Sequence, residues 1–311
     1  MNAKPRTALV VSGGGAKGAF AVGAIEHLVN VKNVSFDMVV GTSTGSLIGP
    51  FVASNELALL RAQYLDLRID QFFRKRNVLV SLFAFKSVFD ASPFRAVLKQ
   101  RFDAARADRI LNSKIRTIIA TVSLQSGKVT YFYAGGDGTK IGVPPEAANP
   151  VKIRDRAMLL RAIEASSNQP VFMPPVRIRT SPNQLLENAH QYVDGGVGEY
   201  APIRVALENG AKHVYAIVLG PKEKPPKKEN YTKAFKIFVR TFDLFQHNVG
   251  IMDVVIADQV AEARGAIIKY IRPKRDLPTG SLEADPAIQD RMIVLGRNAA
   301  RDAGTIPTPI A

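Results

Sequence analysis

The sequence predicts an α/β protein with a parallel sheet and covering helices, and three observations support this class. A β-branched and apolar run at Thr7–Val11 ends in a glycine loop, and Ala16–Asn30 follows with apolar residues at helical spacing. A second run, Met38–Thr42, passes through a serine turn into a helix that extends through Ala53. Strand, helix, strand and helix in this order form a βαβ pattern. With 311 residues, 46% of them hydrophobic, the chain is long enough to bury the core of one large α/β unit.

Residues from about 56 to 109 predict a mostly helical insert. A first helix is predicted by apolar residues at helical spacing, namely Leu57, Leu60, Tyr64 and Leu67. A second helix is predicted over Pro93–Phe102. The phenylalanines between them are Phe72, Phe73, Phe83, Phe85 and Phe89. Core packing is favoured for this stretch over a cover on an apolar pocket, because aromatic residues are usually buried.

The rest of the chain continues the alternation of strands and helices. Ile115–Ser123 and Lys128–Tyr133 predict a hairpin around a Gln-Ser-Gly turn. Further helices are predicted over Arg154–Ser167, Pro202–Asn209, Tyr231–Ala263 and Pro286–Ala300, and further strands over Gln191–Val193, His213–Leu219 and Ile267–Ile271. Because no linker is long enough to separate two units, we expect a single domain over residues 1–311.

Composition narrows the classes of function. The absence of cysteine excludes a disulfide framework and a thiolate nucleophile. The apolar run Ala8–Val11 is too short for a signal peptide, and no segment reaches the length of a membrane span, so we expect a cytoplasmic protein. The net charge of +15 favours polyanionic partners, either nucleic acid or an anionic membrane surface. Without tryptophan or a nucleic-acid-binding signature, nucleic acid is not the expected partner.

The turn Gly41-Thr42-Ser43-Thr44-Gly45 follows a predicted strand and opens a helix. Such a turn exposes the serine hydroxyl above the sheet, and the flanking glycines keep Cβ atoms out of the bend. The pentapeptide therefore marks Ser43 as a candidate nucleophile, although the short motif alone is weakly predictive.

The glycine loop at residues 13–15 has more than one interpretation. With Gly18 it fits the dinucleotide fingerprint, but the acidic residue that this requires, Asp37, lies at the wrong end of the second strand. A Walker loop is excluded because Lys17 is followed by glycine. The favoured interpretation is an oxyanion hole made of backbone N–H groups at a helix N-terminus. This loop and the serine turn end successive parallel strands, so we expect them at the same sheet edge.

A serine nucleophile needs a base, and Asp194 is the best-placed candidate. It ends a predicted strand and is followed by Gly195-Gly196, which leaves its carboxylate uncrowded. A hairpin turn at Asp-Gly is the alternative, but no clear second strand follows. None of the four histidines has a convincing position; they are His27, His190, His213 and His247.

Together these segments resemble the ordered signature of patatin-like phospholipases. The segments are Gly13-Gly14-Gly15-Ala16-Lys17-Gly18, Gly41-Thr42-Ser43-Thr44-Gly45 and Asp194-Gly195-Gly196. Ala165-Ser166-Ser167, Pro170 and Phe172-Met173-Pro174-Pro175 resemble a further family segment, so the similarity extends from residue 7 to about 220. The chain departs from the family pattern at Asn168 and Tyr200, which affects the expected loop geometry and substrate fit.

The resemblance implies a three-layer α/β/α fold with a mostly parallel central sheet and a Ser–Asp dyad that works without histidine, metal or cofactor. Ser43 would be the nucleophile, Asp194 the base, and the amides of Gly13, Gly14 and Gly15 the oxyanion hole. The supporting residues would be Lys17, Gly18, Gly41, Gly45, Gly195 and Gly196. An ordinary aspartate, with a pKa of ~3.9, is a poor base for a hydroxyl, so the fold must raise the pKa by desolvation.

The implied activity is hydrolysis of acyl esters in phospholipids or related lipids through an acyl-Ser43 intermediate. An acyltransferase, in which an alcohol replaces water, uses the same intermediate and remains an alternative. A basic non-enzymatic protein that binds nucleic acid or membranes is the less favoured alternative.

The expected partner is a lipid substrate at a membrane surface, and in one interpretation that surface is anionic. Binding there would make the protein a peripheral membrane protein. Tyr231–Gly250 carries a phenylalanine stripe flanked by basic residues, for which a core face is favoured over a membrane-binding face. Its phenylalanines are Phe235, Phe238, Phe242 and Phe245. The basic loop Pro221–Lys228 is expected to be solvated, with contact to anionic lipid as the alternative.

Overall fold

A mixed sheet with helices on both faces forms the centre of the molecule, which confirms the predicted three-layer α/β class. The computed structural model describes residues 6–67, 74–75, 87, 89–224, 226, 228–278 and 285–306. The strands are β1 (Arg6–Val11), β2 (Met38–Thr42), β3 (Arg74–Lys75), β4 (Phe89–Asp90), β5 (Arg116–Ser123), β6 (Val129–Ala134), β7 (Val151–Lys152), β8 (Val176–Arg177), β9 (Gln191–Asp194), β10 (Ala211–Ile217) and β11 (Ile267–Ile271). The helices are α1 (Gly18–Glu26), α2 (Thr44–Ala53), α3 (Leu57–Leu65), α4 (Ser92–Arg101), α5 (Ala104–Leu111), α6 (Arg156–Ser167), α7 (Ile203–Glu208), α8 (Ala234–Arg264) and α9 (Pro286–Ala303).

The order of the strands in the main sheet is β11-β10-β1-β2-β5-β6-β7. From β11 to β5 all neighbours are parallel, as the βαβ pattern predicts. β6 then returns antiparallel to β5, which confirms the predicted hairpin. β9 pairs antiparallel with both β5 and the short strand β8.

Alternating residues of β1 reach the two hydrophobic cores of the sheet. Leu9 and Val11 belong to the core that contains α1 and α9, whereas Ala8 and Val10 belong to the core that contains α7 and part of α8. This period-2 alternation is what a strand covered by helices on both faces requires. The catalytic candidates therefore lie on a sheet that is packed on both sides.

The segment between α2 and β5 contains α3, α4 and α5 together with the two-stranded antiparallel ribbon of β3 and β4. α3 and α4 lie where two helices are predicted, and α5 is an additional helix that Asp103 caps. Among the phenylalanines of this segment, Phe89 is half-buried and stacks against Phe172. The other four, Phe72, Phe73, Phe83 and Phe85, lie outside the described residues.

The amino-terminal half of α8 differs from the expected core face. Phe238 and Phe245 are 38% and 46% exposed, so the prediction of a buried stripe is wrong for these two residues. The carboxy-terminal half packs against the sheet through the fully buried Ala257 and the nearly buried Ala261. With 31 residues, α8 is about 46 Å long. None of the helices in the described residues has both the length and the apolar character needed to cross a bilayer.

Candidate active site

The sheet topology brings Ser43 and Asp194 together from positions far apart in the chain. Thr42, the last residue of β2, lies opposite Ala120 of β5, and Asp194 lies opposite the next residue, Thr121. β6 occupies the other edge of β5, so β2 and β9 share one edge and meet end to end. Because β2 is parallel and β9 antiparallel to β5, their carboxyl ends face each other. Ser43 follows one of these ends and Asp194 forms the other.

Ser43 occupies a strained turn between β2 and α2. Its backbone angles, φ 54° and ψ −116°, lie in a region that residues with a side chain rarely adopt. The flanking glycines permit this turn, because a Cβ at Gly41 would lie 2.2 Å from the carbonyl carbon of Gly45. A Cβ at Gly45 would lie 2.1 Å from the carbonyl oxygen of Val11. A strained turn between a strand and a helix is the backbone geometry that a nucleophile elbow requires.

Three other serines hold the backbone of Ser43 in place. The Ser43 N–H donates to Oγ of Ser166 at 3.0 Å, and Ser166 Oγ in turn donates to the carbonyl of Ala120 at 2.7 Å. The Ser43 carbonyl accepts from Ser46 Oγ at 2.6 Å and from Ser167 Oγ at 3.4 Å. These bonds tie the turn to β5 and to the end of α6, which offsets the strain of the turn.

Asp194 is fully buried, and one backbone N–H donates a hydrogen bond to its carboxylate. Oδ1 accepts from the N–H of Gly196 at 2.7 Å, while its own N–H donates to the carbonyl of Asn168 at 3.0 Å. Oδ2 is buried and has no hydrogen-bond partner among the described residues. Burial raises the pKa of Asp194 to about 7, and the Gly196 N–H and the nearby Ser43 side chain oppose this rise. The carboxylate is therefore much more basic than an ordinary aspartate.

The sequence after Asp194 is a short helical turn, Gly195–Val197, and not the second strand of a hairpin. A Cβ at Gly195 would lie 2.5 Å from the carbonyl oxygen of Ala120, so this position requires glycine. Thr42 Oγ1 donates to the carbonyl of Glu199 at 3.0 Å, which links the strand before Ser43 to the loop after Asp194.

The glycine loop lies beside Ser43, and its three amides differ. The Gly13 N–H donates to the carbonyl of Tyr200 at 3.0 Å, so this amide is already engaged. Gly14 and Gly15 lie at the start of the short helical turn Gly15–Lys17, where N–H groups lack intrahelical partners. A Cβ at Gly13 would lie 3.5 Å from the Ser43 Cβ, which places this loop against the nucleophile.

The two remaining residues of the loop motif have separate surroundings. Gly18 begins α1, and a Cβ there would lie 2.3 Å from the hydroxyl of Tyr64, so α1 and α3 approach closely at this point. Lys17 lines a second cavity, together with Tyr200 and Leu219.

An apolar cavity of about 90 Å³ opens next to Ser43. Ser43, Gly15 and Ser167 line it, and the lining also includes the polar side chains of Gln63, Arg101 and Gln169. Side chains of α2, α3 and α4 form its apolar wall together with Met173, and they include Leu47, Phe51, Leu60, Phe94 and Leu98. The helical segment after α2 therefore contributes two helices to the wall of this cavity. A cavity of this shape and chemistry fits an aliphatic chain whose carbonyl end lies at Ser43.

Two acids, the buried Glu199 and the half-buried Asp253, support the loop that follows Asp194. Oδ2 of Asp253 accepts from the N–H groups of Tyr200 and Ala201, each at 2.8 Å. Tyr131 donates to Oε2 of Glu199 at 2.5 Å. Burial is the largest cause of the raised pKa values, about 8 for Glu199 and about 7 for Asp253. Sequence reasoning did not single out these acids, because no local pattern marks them.

Ser166 and Asn168 are also contacts that sequence reasoning did not assign to the site. Ser166 lies in the last turn of α6, and Asn168 directly follows that helix. The family resemblance covers this segment but implies no role for either residue. Asn168 is fully buried, and its Nδ2 donates to the carbonyl of Pro174 at 2.8 Å. No hydrogen bond among the described residues joins a histidine to Ser43 or Asp194; His190, for instance, pairs with Ser123.

Comparison with known proteins agrees with this arrangement of motifs. A family model for patatin-like phospholipases matches residues 9–207. The uncharacterized protein YqhO of Bacillus subtilis is 28% identical over 244 residues, which cover 75% of this chain and 78% of that protein. The patatin-like phospholipase domain-containing protein 7 of Rattus norvegicus is 25% identical over 217 residues, which cover 70% of this chain and only 14% of that protein.

Among solved structures, VipD from Legionella pneumophila superposes with a TM-score of 0.46 at 11% identity, covering 96% of this chain and 66% of that chain. Human GIVD cytosolic phospholipase A2 superposes with a TM-score of 0.39 at 12% identity, covering 96% and 60%. The family model covers more than half of the sequence and includes the glycine loop, Ser43 and Asp194. The chain therefore belongs to the patatin-like phospholipase family.

Proposed function

We propose that this protein hydrolyses acyl esters of phospholipids or related lipids through an acyl-Ser43 intermediate, with Asp194 as the base. Membership of the patatin-like phospholipase family supports a lipid acyl hydrolase in general terms. The observation that carries the specific proposal is the end-to-end meeting of β2 and β9, which places a strained serine beside a buried, basic carboxylate.

In the first half of the reaction, Asp194 takes the proton of Ser43 Oγ as this oxygen attacks the ester carbonyl carbon. The amides of Gly14 and Gly15 stabilise the resulting oxyanion; Gly13 positions the loop, since its N–H is bonded to Tyr200. Asp194 then gives the proton to the departing alcohol, which leaves an acyl-Ser43 ester. Removal of one oxyanion donor from such a site typically costs ~3 kcal/mol.

In the second half, water attacks the acyl-Ser43 carbonyl and transfers a proton to Asp194. Collapse of the tetrahedral intermediate returns that proton to Ser43 and releases a fatty acid. An alcohol in place of water would give acyl transfer by the same steps, and this remains the second candidate because the intermediate is the same. The apolar cavity beside Ser43 favours an aliphatic acyl chain in either case.

The test is hydrolysis of a p-nitrophenyl acyl ester by Ser43→Ala and Asp194→Asn variants. Each substitution is expected to reduce kcat by roughly a thousand-fold or more, because nucleophile and base act as one unit. Ser126→Ala and Asp290→Asn remove the same groups from exposed positions and are expected to keep wild-type turnover. Near-wild-type turnover by folded Asp194→Asn protein would exclude the dyad.

We also propose that the substrate is met at an anionic membrane surface by the amino-terminal half of α8. Exposed apolar residues on this half include Ile237, Phe238, Leu244 and Phe245. Lys233 and Lys236 are exposed nearby, which suits a bilayer that carries anionic headgroups. Phe238 also contacts Phe172, with ring centroids 5.9 Å apart. Phe172 directly precedes Met173, which lines the apolar cavity, so this half of α8 lies close to that cavity.

Vesicles of phosphatidylcholine, with or without phosphatidylserine, test this interaction. Binding is expected to be stronger with phosphatidylserine and to weaken steeply as salt is raised. Phe245→Ser is expected to weaken binding, whereas Leu124→Ser removes an equally exposed side chain from the β5–β6 turn and is expected to have no effect. Equal binding to both vesicle types, or no effect of Phe245→Ser, would contradict the proposal.

A further inference from the structure

A second cavity, of about 40 Å³, lies beside the glycine loop. Its wall consists of the loop after β10, the middle of α8 and the end of β11. Four cationic side chains line it, namely Lys17, Lys222, Lys224 and Arg272. Two carboxylates, Asp243 and Asp276, also reach it, so cations outnumber anions in the wall.

This cavity is directly adjacent to the candidate active site. Tyr200 and Leu219 are part of its wall, and both also contact the glycine loop. A Cβ at Gly13 would lie 3.0 Å from the Tyr200 ring, and one at Gly14 would lie 2.7 Å from the Leu219 Cβ. The glycine loop therefore lies against both Ser43 and the wall of the basic cavity, and Lys17 follows that loop by two residues.

The positive charge of the cavity is only partly compensated. Lys224 is not solvated as the loop was expected to be: its side chain is 12% exposed and pairs with Asp243 at 2.6 Å. Arg240 pairs with the same carboxylate at 2.8 Å, so two cations share one anion. Burial, together with the charges of Lys17 and Arg240, lowers the pKa of Lys224 in spite of its ion pair.

Arg272 is a further cation in this wall, and the carboxylate of Asp258 compensates part of its charge. Its Nε is buried and has no hydrogen-bond partner among the described residues. The guanidinium stacks over the ring of Tyr270 at 5.5 Å, which fixes its plane without satisfying its donors.

We propose that this cavity binds a phosphate group. Lysine and arginine together provide the charge and the directed N–H donors by which proteins recognise phosphate oxygens. The space is about three times what one buried water needs, which is sufficient for a small tetrahedral anion. The phosphate has two chemically equivalent sources: the headgroup of a lipid whose acyl chain lies in the apolar cavity, or a free phosphate-bearing ligand. The headgroup source rests on the proposed lipid hydrolysis, whereas phosphate binding itself does not.

Binding of inorganic phosphate to the full chain is the direct test, by calorimetry and by thermal unfolding at constant ionic strength. Phosphate is expected to bind the wild type and to raise its melting temperature above that in chloride. Lys224→Gln and Arg272→Gln are each expected to weaken binding about 10-fold, which corresponds to the loss of one charge-assisted hydrogen bond. Lys114→Gln removes the same charge from an exposed position before β5 and is expected to bind as the wild type does.

Arg272→Lys keeps the charge but not the guanidinium, and it provides a variant with less risk to folding. Intermediate phosphate affinity in this variant would support the site. No binding to the wild type, or equal binding by Lys224→Gln, Arg272→Gln and Lys114→Gln proteins, would overturn it. This readout is independent of any ester hydrolysis, so its failure is distinguishable from failure of the proposed function.

A matched pair of lipids then distinguishes the two sources. Phosphatidic acid and diacylglycerol with the same short acyl chains differ only in the phosphate. If the cavity binds the headgroup, Lys224→Gln lowers kcat/KM about 10-fold for phosphatidic acid and leaves diacylglycerol unchanged. If the cavity binds a free ligand, Lys224→Gln changes kcat/KM by the same factor for both lipids. In that case added inorganic phosphate changes the hydrolysis of both lipids by the wild type but not by the Lys224→Gln variant. Equal turnover of both lipids by all variants, with no effect of phosphate, would overturn any link to catalysis.

Discussion

Replacing Asp194 by asparagine is expected to stabilise the fold while removing the proposed base. The pKa of this buried carboxyl is about 7, against 3.8 for an ordinary aspartate. At about 1.36 kcal/mol for each tenfold change in proton affinity, ionising Asp194 in the folded state costs roughly 4 kcal/mol. Because the folded-state pKa is the higher one, the folded protein binds the extra proton, and stability falls as pH rises from about 4 to 7. Asparagine is neutral throughout and can still accept from the Gly196 N–H.

The gain in stability should therefore depend on pH. At pH 5 most of the folded molecules carry a protonated Asp194, so the penalty that asparagine removes is only about 2 kcal/mol. At pH 8 almost the whole penalty of roughly 4 kcal/mol is present, so the difference between variant and wild type grows by about 2 kcal/mol. The acids Glu199 and Asp253 titrate in both proteins and largely cancel from this difference.

Urea unfolding of Asp194→Asn and wild-type protein at pH 5 and pH 8 measures this difference. Asp290→Asn removes an exposed carboxylate and provides the matched control, for which the difference from wild type should not grow with pH. An Asp194→Asn protein that is less stable than the wild type at pH 8, or a difference that shrinks as pH rises, would refute the reasoning.

The remaining predictions concern the pH profile and the serine turn. On a p-nitrophenyl acyl ester, kcat/KM should rise with pH and level off above an inflection near 7, because the proposed carboxylate base must be ionised; an inflection below pH 5 would contradict this assignment. Gly45→Ala should destabilise the protein by about 2 kcal/mol or more in urea unfolding, since its Cβ would meet the carbonyl of Val11 at 2.1 Å. Gly49→Ala in the same helix has no contact closer than 3.5 Å and should be neutral or slightly stabilising, so equal losses at both positions would contradict the steric argument. Ser166→Ala should cost about 1–3 kcal/mol of stability and lower kcat with little change in KM, because the Ser43 N–H loses its acceptor; unchanged kcat would show that this bond does not hold the turn.

Much of the site could be predicted from the sequence because its components are local backbone requirements. The bend at Ser43 requires glycine at Gly41 and Gly45, which lie only two residues away on either side. The glycine loop likewise directly follows its strand. The alternation of strands and helices likewise predicts the parallel part of the sheet, since hydrophobic periodicity is a local signal.

The partners of these motifs were harder to predict because they depend on tertiary contacts. The end-to-end meeting of β2 and β9 depends on β5 being longer than β2, and no spacing in the sequence encodes it. Ser166 and Asn168 act through single hydrogen bonds to residues far along the chain or across a loop.

Burial was the least predictable property. The phenylalanine stripe of α8 has the period of a core face, but periodicity does not tell whether that face meets a core or solvent, and Phe245 is exposed. Lys224 lies in a stretch that reads as a solvated basic loop, yet it is largely buried against Asp243. Lys224 lies in the wall of the cavity beside the glycine loop, so its burial bears on that site.

Labelling with a fluorophosphonate probe tests the central claim most directly, because the probe forms a covalent bond only with an activated nucleophile. Mass spectrometry of the labelled wild type is predicted to find the modification on Ser43, with no labelling of Ser43→Ala and slow labelling of Asp194→Asn. A modification on another residue, or undiminished labelling of the folded Ser43→Ala protein, would contradict the assignment of Ser43 as the nucleophile.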